Sequence, residues 1–157
     1  GLPSGIRRLA REAPKVRLGL SIGSARPATR KSLMPIDKAH PLEEVLEAAV
    51  EHARATGLAP MWAVTPLAEV NDLDDDARAL ASLARQFTGR AGVRPRISVI
   101  PYNAIGADDP FARSNESREA RFRAVMSEAG FPTHKRYSGG SDVRAACGQL
   151  SATLARS

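Results

Sequence analysis

The sequence predicts an α/β fold, in which four strands and the helices between them form part of a parallel (β/α) barrel. Three observations indicate this fold. Apolar segments of strand length recur four times, amphipathic segments of about ten to fifteen residues separate them, and turn residues lie between the two kinds of segment. Such alternation implies parallel pairing through right-handed crossovers. Four strands cannot close a barrel, and the unpaired edge of the first strand suggests a piece of a larger unit.

The first half of the chain is expected to contain two helices and two strands. Residues 6–12 predict a short amphipathic helix, and residues 15–22 predict a strand whose inward side chains are Val16, Leu18, Leu20 and Ile22. A polar loop is expected over residues 23–30. The next helix is expected to start at residues 37–41, with proline in its first turn, and Gly57 ends it.

A second strand over residues 59–65 leads to a turn at Val70-Asn71-Asp72. Asp74 is the expected cap of the following helix, and its buried stripe is Ala77, Leu80, Ala81, Ala84 and Phe87.

The second half repeats the pattern. Residues 94–100 predict a third strand, and Ser114 or Asn115 is expected to cap a helix that Gly130 closes. Residues 131–137 predict a fourth strand. A segment with the only cysteine of the chain and a last short helix follow.

Composition restricts the class of protein. The 157 residues suit one domain, and with 43% apolar and 25% charged residues the chain is globular. No apolar run is long enough to span a membrane, and the amino-terminal residues do not read as an export signal. A single cysteine excludes an intramolecular disulfide framework, so a reducing, cytoplasmic location is expected.

The net charge of +6 permits a nucleic-acid partner. Nearly all of the positive residues are arginines, whose planar fork suits phosphate. A genomic bias toward arginine codons explains the same excess equally well, so both interpretations stay open. The arginine-rich segments at residues 7–11 and 118–123 are better explained as solvated helix faces than as phosphate contacts.

Polar residues follow each predicted strand. Ser21 closes the first strand, Asn71 follows the second, Asn103 follows the third, and Cys147 follows the fourth. Because ligands of parallel α/β proteins lie at the carboxyl ends of the strands, these residues are expected to converge on one rim. Cys147 is flanked by small residues, and is either a buried filler or a reactive thiol.

Several segments, taken together, resemble the RlmN/Cfr family of radical S-adenosylmethionine (SAM) methyltransferases, which act on carbon 2 of adenosine. The matching strings are Leu18-Gly19-Leu20-Ser21-Ile22, Arg30-Lys31-Ser32-Leu33-Met34-Pro35-Ile36-Asp37-Lys38, Val70-Asn71-Asp72, Val99-Ile100-Pro101-Tyr102-Asn103 and Gly140-Ser141-Asp142-Val143-Arg144-Ala145-Ala146-Cys147-Gly148-Gln149-Leu150. The resemblance covers essentially the whole chain but only the carboxyl-terminal half of such an enzyme. Residues 1–157 would then be the carboxyl-terminal part of a radical SAM barrel.

The resemblance implies a function and a site. The family methylates 23S ribosomal RNA and transfer RNA, using SAM and a [4Fe-4S] cluster. It implies that Cys147 carries the methyl group and that Ser21 and Asn103 bind SAM. Neither DNA nor a membrane is implied as a partner.

The chain also departs from the family. The three-cysteine cluster motif is absent, so no metal ligand is assigned, the missing ligands are expected upstream of Gly1, and the chain alone is expected to be inactive. Gly23 stands where the family usually has a histidine that contacts SAM. Gly139 stands where arginine is common, and Arg144 where an acidic or apolar residue is common.

The alternative hypothesis is a non-catalytic remnant or divergent paralogue that binds RNA or a protein. His40, His52 and His134 lack metal-ligand spacing and are expected on the surface or on helix faces. Trp62 is expected in the core, not on a base-stacking surface.

Overall fold

The computed structural model of the chain describes residues 1–104 and 108–136. In this part of the chain, helices and strands alternate along the sequence, as predicted. The α-helices are α1 (Pro3–Glu12), α2 (Pro27–Leu33), α3 (Leu42–Thr56), α4 (Asp74–Ala91) and α5 (Glu116–Glu128). The strands are β1 (Gly19–Ser21), β2 (Met61–Val64), β3 (Arg96–Val99) and β4 (Thr133–Lys135).

The four strands form one parallel sheet in the order β1-β2-β3-β4. Each strand therefore lies beside its predecessor, and a helix crosses over between them. This is the order of consecutive strands in a (β/α) barrel, and the predicted α/β class with parallel pairing is confirmed.

One face of the sheet packs against the helices and forms the core. Leu20, Trp62 and Ile97 are almost fully buried on this face, in one apolar cluster with inward residues of α3, α4 and α5. The ring of Trp62 lies edge-on to that of Phe87, with centroids 5.3 Å apart. Trp62 is therefore a core residue, as predicted.

The other face of the sheet is more open. Strand register places Ser21, Ala63, Ser98 and His134 in one row across the four strands, and paired residues of parallel strands project to the same face. Ser21 and His134 are exposed at the two ends of this row, whereas Leu20 and Trp62, which precede Ser21 and Ala63 in their strands, are buried. Small and polar side chains thus make up this row on the face that would look into a barrel.

One arginine–carboxylate pair bridges each seam between neighbouring outer helices. The pairs are Arg7–Glu51 between α1 and α3 at 2.7 Å, Arg90–Glu47 between α4 and α3, and Arg121–Asp74 between α5 and α4 at 2.7 Å. These seam pairs include arginines from both arginine-rich segments, and Arg8 also pairs with Glu12 of its own helix at 3.3 Å.

The segment around the first strand differs from its prediction. Val16 is 50% exposed, because its N–H donates to the carbonyl of Ala13 (2.9 Å) in a turn that precedes the strand. Strand β1 begins only at Gly19, so Val16 is not an inward strand residue.

The loop predicted for residues 23–30 is interrupted by α2, which begins at Pro27. Proline suits the first turn of a helix because its fixed φ is already helical. The helix start predicted at residues 37–41 is instead a 3-10 turn (Pro35–Lys38), and α3 begins at Leu42. Gly57 ends α3 as predicted, with φ +69° and its N–H bonded to Ala53.

The predicted caps are partly confirmed. Asn115 caps α5, and its Oδ1 accepts the N–H of Arg118 at 2.8 Å. Asp74 is the first residue of α4 rather than its cap; the carboxylate of Asp76 accepts the N–H of Leu73 at 3.2 Å.

His52 lies on a helix face, one of the two expected positions, but it is fully buried in α3 and not on the surface. Helix α3 contacts both α1 and α4, so its buried surface is wider than the stripe that the sequence predicts. No helix in the described part of the chain has the length and apolar character that a membrane span requires.

Candidate functional site

An open cleft of about 550 Å³ lies at the carboxyl ends of the first three strands, where the fold places ligands. Its wall is mainly apolar with a few polar groups, among them the carboxylate of Asp109, a composition typical of small-molecule sites. The described lining residues are Ser21, Gly23, Leu33, Met34, Ala63, Thr65, Leu67, Asn71, Ile100, Tyr102, Asp109, Pro110 and Phe111.

Ser21 lies in this cleft, as predicted. It is the last residue of β1 and is exposed, and its register partner Ala63 lines the cleft beside it. The hydroxyl of Ser21 can both donate and accept a hydrogen bond, so it offers a neutral polar contact to a ligand.

Asn71 also reaches the rim, but its polar atoms hold the protein together. Its Oδ1 accepts the N–H of Leu67 at 2.7 Å, and its Nδ2 donates to the carbonyls of Gly23 (2.8 Å) and Thr65 (3.1 Å). With 3% of its surface exposed, Asn71 ties the loop after β1 to the loop after β2. It positions the cleft wall rather than offering an amide to a ligand.

Asp72 makes the next link along the rim. Its carboxylate accepts the N–H of Glu69 at 3.0 Å and the hydroxyl of Ser114 at 2.7 Å. Leu67 and Arg113 also form an isolated antiparallel β-bridge, which joins the same two segments. The segment before α5 is therefore fixed against the loop after β2.

A buried arginine organises the segment after β1. Arg30 is 2% exposed, and its guanidinium donates to the carboxylate of Asp37 at 2.6 Å, to the carbonyl of Ile22 and to the Sδ of Met34 at 3.1 Å. A buried charge requires such partners. The contacts explain why Arg30, Met34 and Asp37 occur together in this segment.

Tyr102 and Phe111 line the cleft beyond β3, and the sequence analysis missed both. The Tyr102 hydroxyl donates to Asp109 at 2.6 Å, and the two rings meet edge-on with centroids 6.4 Å apart. Burial, followed by this hydrogen bond and the negative charge of Asp109, raises the pKa of Tyr102 to about 12. Two sequence signals were present for Tyr102: it follows a predicted strand, and it lies in the string Val99-Ile100-Pro101-Tyr102-Asn103 that resembles the family.

The other predicted site residues are not brought together in the described part of the chain. Asn103 is half-buried beside Tyr102, and is not among the described residues that line the cleft. Cys147 lies outside the described residues, as do Gly139 and Arg144. The roles assigned to Cys147, Ser21 and Asn103 stay predictions. Residues 1–104 and 108–136 contain no group of three or more metal-binding side chains.

Comparison with known proteins relates the chain to RNA-modifying enzymes. It is 60% identical over 167 residues to a protein of Sorangium cellulosum named as a probable RNA methyltransferase. It is 38% identical over 151 residues to a Cfr ribosomal RNA large subunit methyltransferase of Lachnoclostridium phytofermentans. It is 36% identical over 150 residues to a probable dual-specificity RNA methyltransferase RlmN of Moorella thermoacetica.

These matches cover 96% of this chain but only 42%, 44% and 40% of the three relatives. The chain therefore spans less than half the length of these relatives. No protein-family model matches the chain.

A solved structure gives the same relationship. The chain matches a radical SAM methyltransferase from Sphaerobacter thermophilus with a TM-score of 0.86 and 35% identity, over 95% of this chain and 42% of that one. A domain of a pyruvate-formate lyase-activating enzyme from Bacteroides vulgatus matches with a TM-score of 0.63 at 12% identity, over 85% of this chain and 74% of that one, and shares the fold.

Proposed function

We propose that this chain, which corresponds to the carboxyl-terminal part of the RlmN/Cfr-type RNA methyltransferases, forms part of the barrel of a radical SAM enzyme that methylates RNA. The cleft at the strand ends is the observation that carries the proposal. It lies on a sheet that matches a radical SAM methyltransferase with a TM-score of 0.86, and Ser21 lines it.

The cleft fits SAM in size and chemistry. Its volume of about 550 Å³ falls in the range of about 300–1,000 Å³ that is usual for cofactor-sized ligands. Ser21 supplies a hydroxyl next to apolar walls, which suits a ligand with a carbon-rich nucleoside and a zwitterionic tail. When bound, SAM supplies the methyl group and, with a [4Fe-4S] cluster, the radical. The cluster ligands come from outside residues 1–157, because the chain has one cysteine.

The proposal gives this chain two roles. Ser21 and Asn103 hold SAM through neutral polar contacts, and Cys147 carries the methyl group before its transfer. Carbon 2 of adenine in 23S ribosomal RNA or in transfer RNA is the proposed acceptor. As a thiolate is the nucleophilic form of cysteine, Cys147 needs access to the cleft and a lowered pKa. The chain alone is inactive, because its cluster ligands are missing.

The test uses the full-length protein that carries this chain, purified without oxygen. We expect the protein to contain bound iron and sulfide. We also expect it to form methyladenosine in 23S ribosomal RNA or transfer RNA transcripts, which mass spectrometry of the nucleosides would detect. Cys147→Ala should abolish the product while iron content and folding stay unchanged. Ser21→Ala should weaken SAM binding by about fivefold to tenfold, the value of one hydrogen bond.

Two results would overturn the proposal. One is an iron-free full-length protein without a three-cysteine cluster motif, which would favour the non-catalytic module instead. The other is undiminished methylation by Cys147→Ala, which would remove the methyl-carrying role from that residue. Separate assays on ribosomal and transfer RNA decide between the two substrates.

A further inference from the structure

Gly23 leaves a space in the cleft wall that Met34 occupies. Gly23 follows β1 by two residues and has φ +67°, a conformation that side-chain-bearing residues rarely adopt. A Cβ built on Gly23 would lie 2.5 Å from the Sδ of Met34 and 3.0 Å from its Cγ. Both distances are too short for non-bonded carbon and sulfur. The thioether of Met34 therefore sits where any other residue at position 23 would place its side chain.

Polar contacts hold both sides of this packing. The guanidinium of Arg30 donates to the Sδ of Met34 at 3.1 Å, and Asp37 holds the guanidinium at 2.6 Å. The carbonyl of Gly23 accepts a hydrogen bond from Asn71 at 2.8 Å. Methionine is usually the most adaptable side chain of an apolar wall. Here Arg30 fixes the side chain of Met34, and Asn71 fixes the backbone of Gly23 against which that side chain packs.

The contact gives the β1 end of the cleft a defined chemistry. Gly23, Met34 and Leu33 line the cleft next to Ser21. A polarisable thioether offers dispersion contacts and hardly any hydrogen bonding. Beside the hydroxyl of Ser21, this part of the wall is therefore suited to the carbon atoms of a ligand.

We propose that Met34, seated in the space left by Gly23, is a specificity-determining residue of the cleft and packs against the adenosyl part of bound SAM. The proposal rests on the proposed function, because it takes SAM as the ligand. It adds a residue of the chain that sets the shape of the site. It also assigns a role to Gly23, because the absence of a side chain there leaves room for the thioether of Met34.

The test is a double-mutant cycle in the full-length protein, with S-adenosylhomocysteine as the probe and calorimetric binding as the measurement. Gly23→Ala should push Met34 into the cleft and weaken binding by about tenfold, within the range of couplings between touching residues. Met34→Ala should weaken binding by about threefold, because the thioether contact is lost without a clash. Gly23→Ala/Met34→Ala should bind like Met34→Ala, since the added methyl then has room.

Gly57→Ala is the matched control for backbone strain. Gly57 has φ +69°, close to that of Gly23, but a Cβ there meets no atom within 4 Å. Both glycine variants should lower the melting temperature, and only Gly23→Ala should weaken binding. Equal affinities of Gly23→Ala and Gly57→Ala would show that strain alone acts and would overturn the inference. Failure of Met34→Ala to restore binding to Gly23→Ala would do the same.

The wild-type measurement separates this inference from the proposed function. If the wild-type protein binds S-adenosylhomocysteine and all variants bind it equally, Met34 is not part of the site and the proposed function stands. If the wild-type protein binds neither this probe nor SAM, the cofactor assignment fails and this inference fails with it.

Discussion

His52 is an ionisable side chain that is buried in the core. It is fully buried, and neither ring nitrogen has a hydrogen-bond partner in the described part of the chain. Burial lowers the pKa of His52, and the nearby backbone of Val16 acts in the opposite direction. The imidazole is therefore neutral in the folded protein at neutral pH, and it takes up a proton less readily than in the unfolded chain.

The sign of the pH dependence follows from this lowered pKa. The unfolded chain takes up a proton at His52 near pH 6.5, whereas the folded chain resists it until a lower pH. The free energy of unfolding should thus fall as the pH drops below about 6.5, by about 1.4 kcal/mol for each unit by which the pKa is lowered. His52→Leu should flatten this part of the profile, measured by urea denaturation with Trp62 fluorescence between pH 5 and 8. His134→Leu, at an exposed position, is the control, and equal slopes in all three proteins would contradict the assignment.

The sequence could not reveal the burial of His52 because it depends on two neighbours of α3. The apolar spacing from Leu42 to Ala53 correctly predicts one inward stripe. Packing of α1 and α4 on either side extends the buried surface to Ala48 and His52. The spacing of apolar residues within one helix does not indicate that a second helix also packs against it.

At the scale of elements, α5 depends on its cap. The Oδ1 of Asn115 accepts hydrogen bonds from the N–H of Arg118 and from the hydroxyl of Ser117, both at 2.8 Å. Capping satisfies one of the unpaired N–H groups at the helix start.

Asn115→Ala should therefore lower the free energy of unfolding by about 1 kcal/mol. Asn115→Asp retains the acceptor and suits the positive end of the helix dipole, so it should change stability by less than about 0.5 kcal/mol. Chemical denaturation of the two variants beside the wild type measures both values. A loss as large in Asn115→Asp as in Asn115→Ala would show that the amide nitrogen, and not Oδ1, carries the effect.

The elements that could be predicted from the sequence are those stabilised by periodic apolar side chains, whereas those held by polar contacts could not be predicted. Helices α3, α4 and α5 each carry a repeated inward stripe, so their existence could be predicted. Helix α2 has seven residues, and its buried residue is Arg30. The partners of Arg30 are Ile22, Met34 and Asp37, which no periodic pattern connects.

At the scale of the whole molecule, Asn71 couples separate parts of the rim. One side chain bonds the loops after β1 and β2 through Gly23, Thr65 and Leu67. Strand order and alternation were enough to predict that Asn71 would reach this rim. The hydrogen bonds of its amide to other parts of the protein could not be predicted, because they depend on the positions of two loops from different parts of the chain.

Asn71→Asp should destabilise the protein by about 2–4 kcal/mol. The new carboxylate can still accept the N–H of Leu67, but it cannot donate to Gly23 and Thr65 and would be buried facing their carbonyl oxygens. Asn115→Asp is the matched control, because the same chemical change occurs there at an exposed cap. Urea denaturation of both variants at pH 7 gives the comparison. Equal and small effects would show that the rim is held elsewhere.

The seam pairs on the outer helices affect how a polyanion can approach. Arg7, Arg90 and Arg121 each face a carboxylate of the adjacent helix, so the charge of each of these arginines is compensated by its partner at distances beyond a Debye length of about 8 Å. An RNA strand lying across these three pairs would have to displace their carboxylates before it contacted the arginines, and would gain little from counterion release there. For the RNA substrate that we propose, this pairing favours an approach along the barrel axis onto the strand ends, where a nucleotide can be presented edge-first to the cleft.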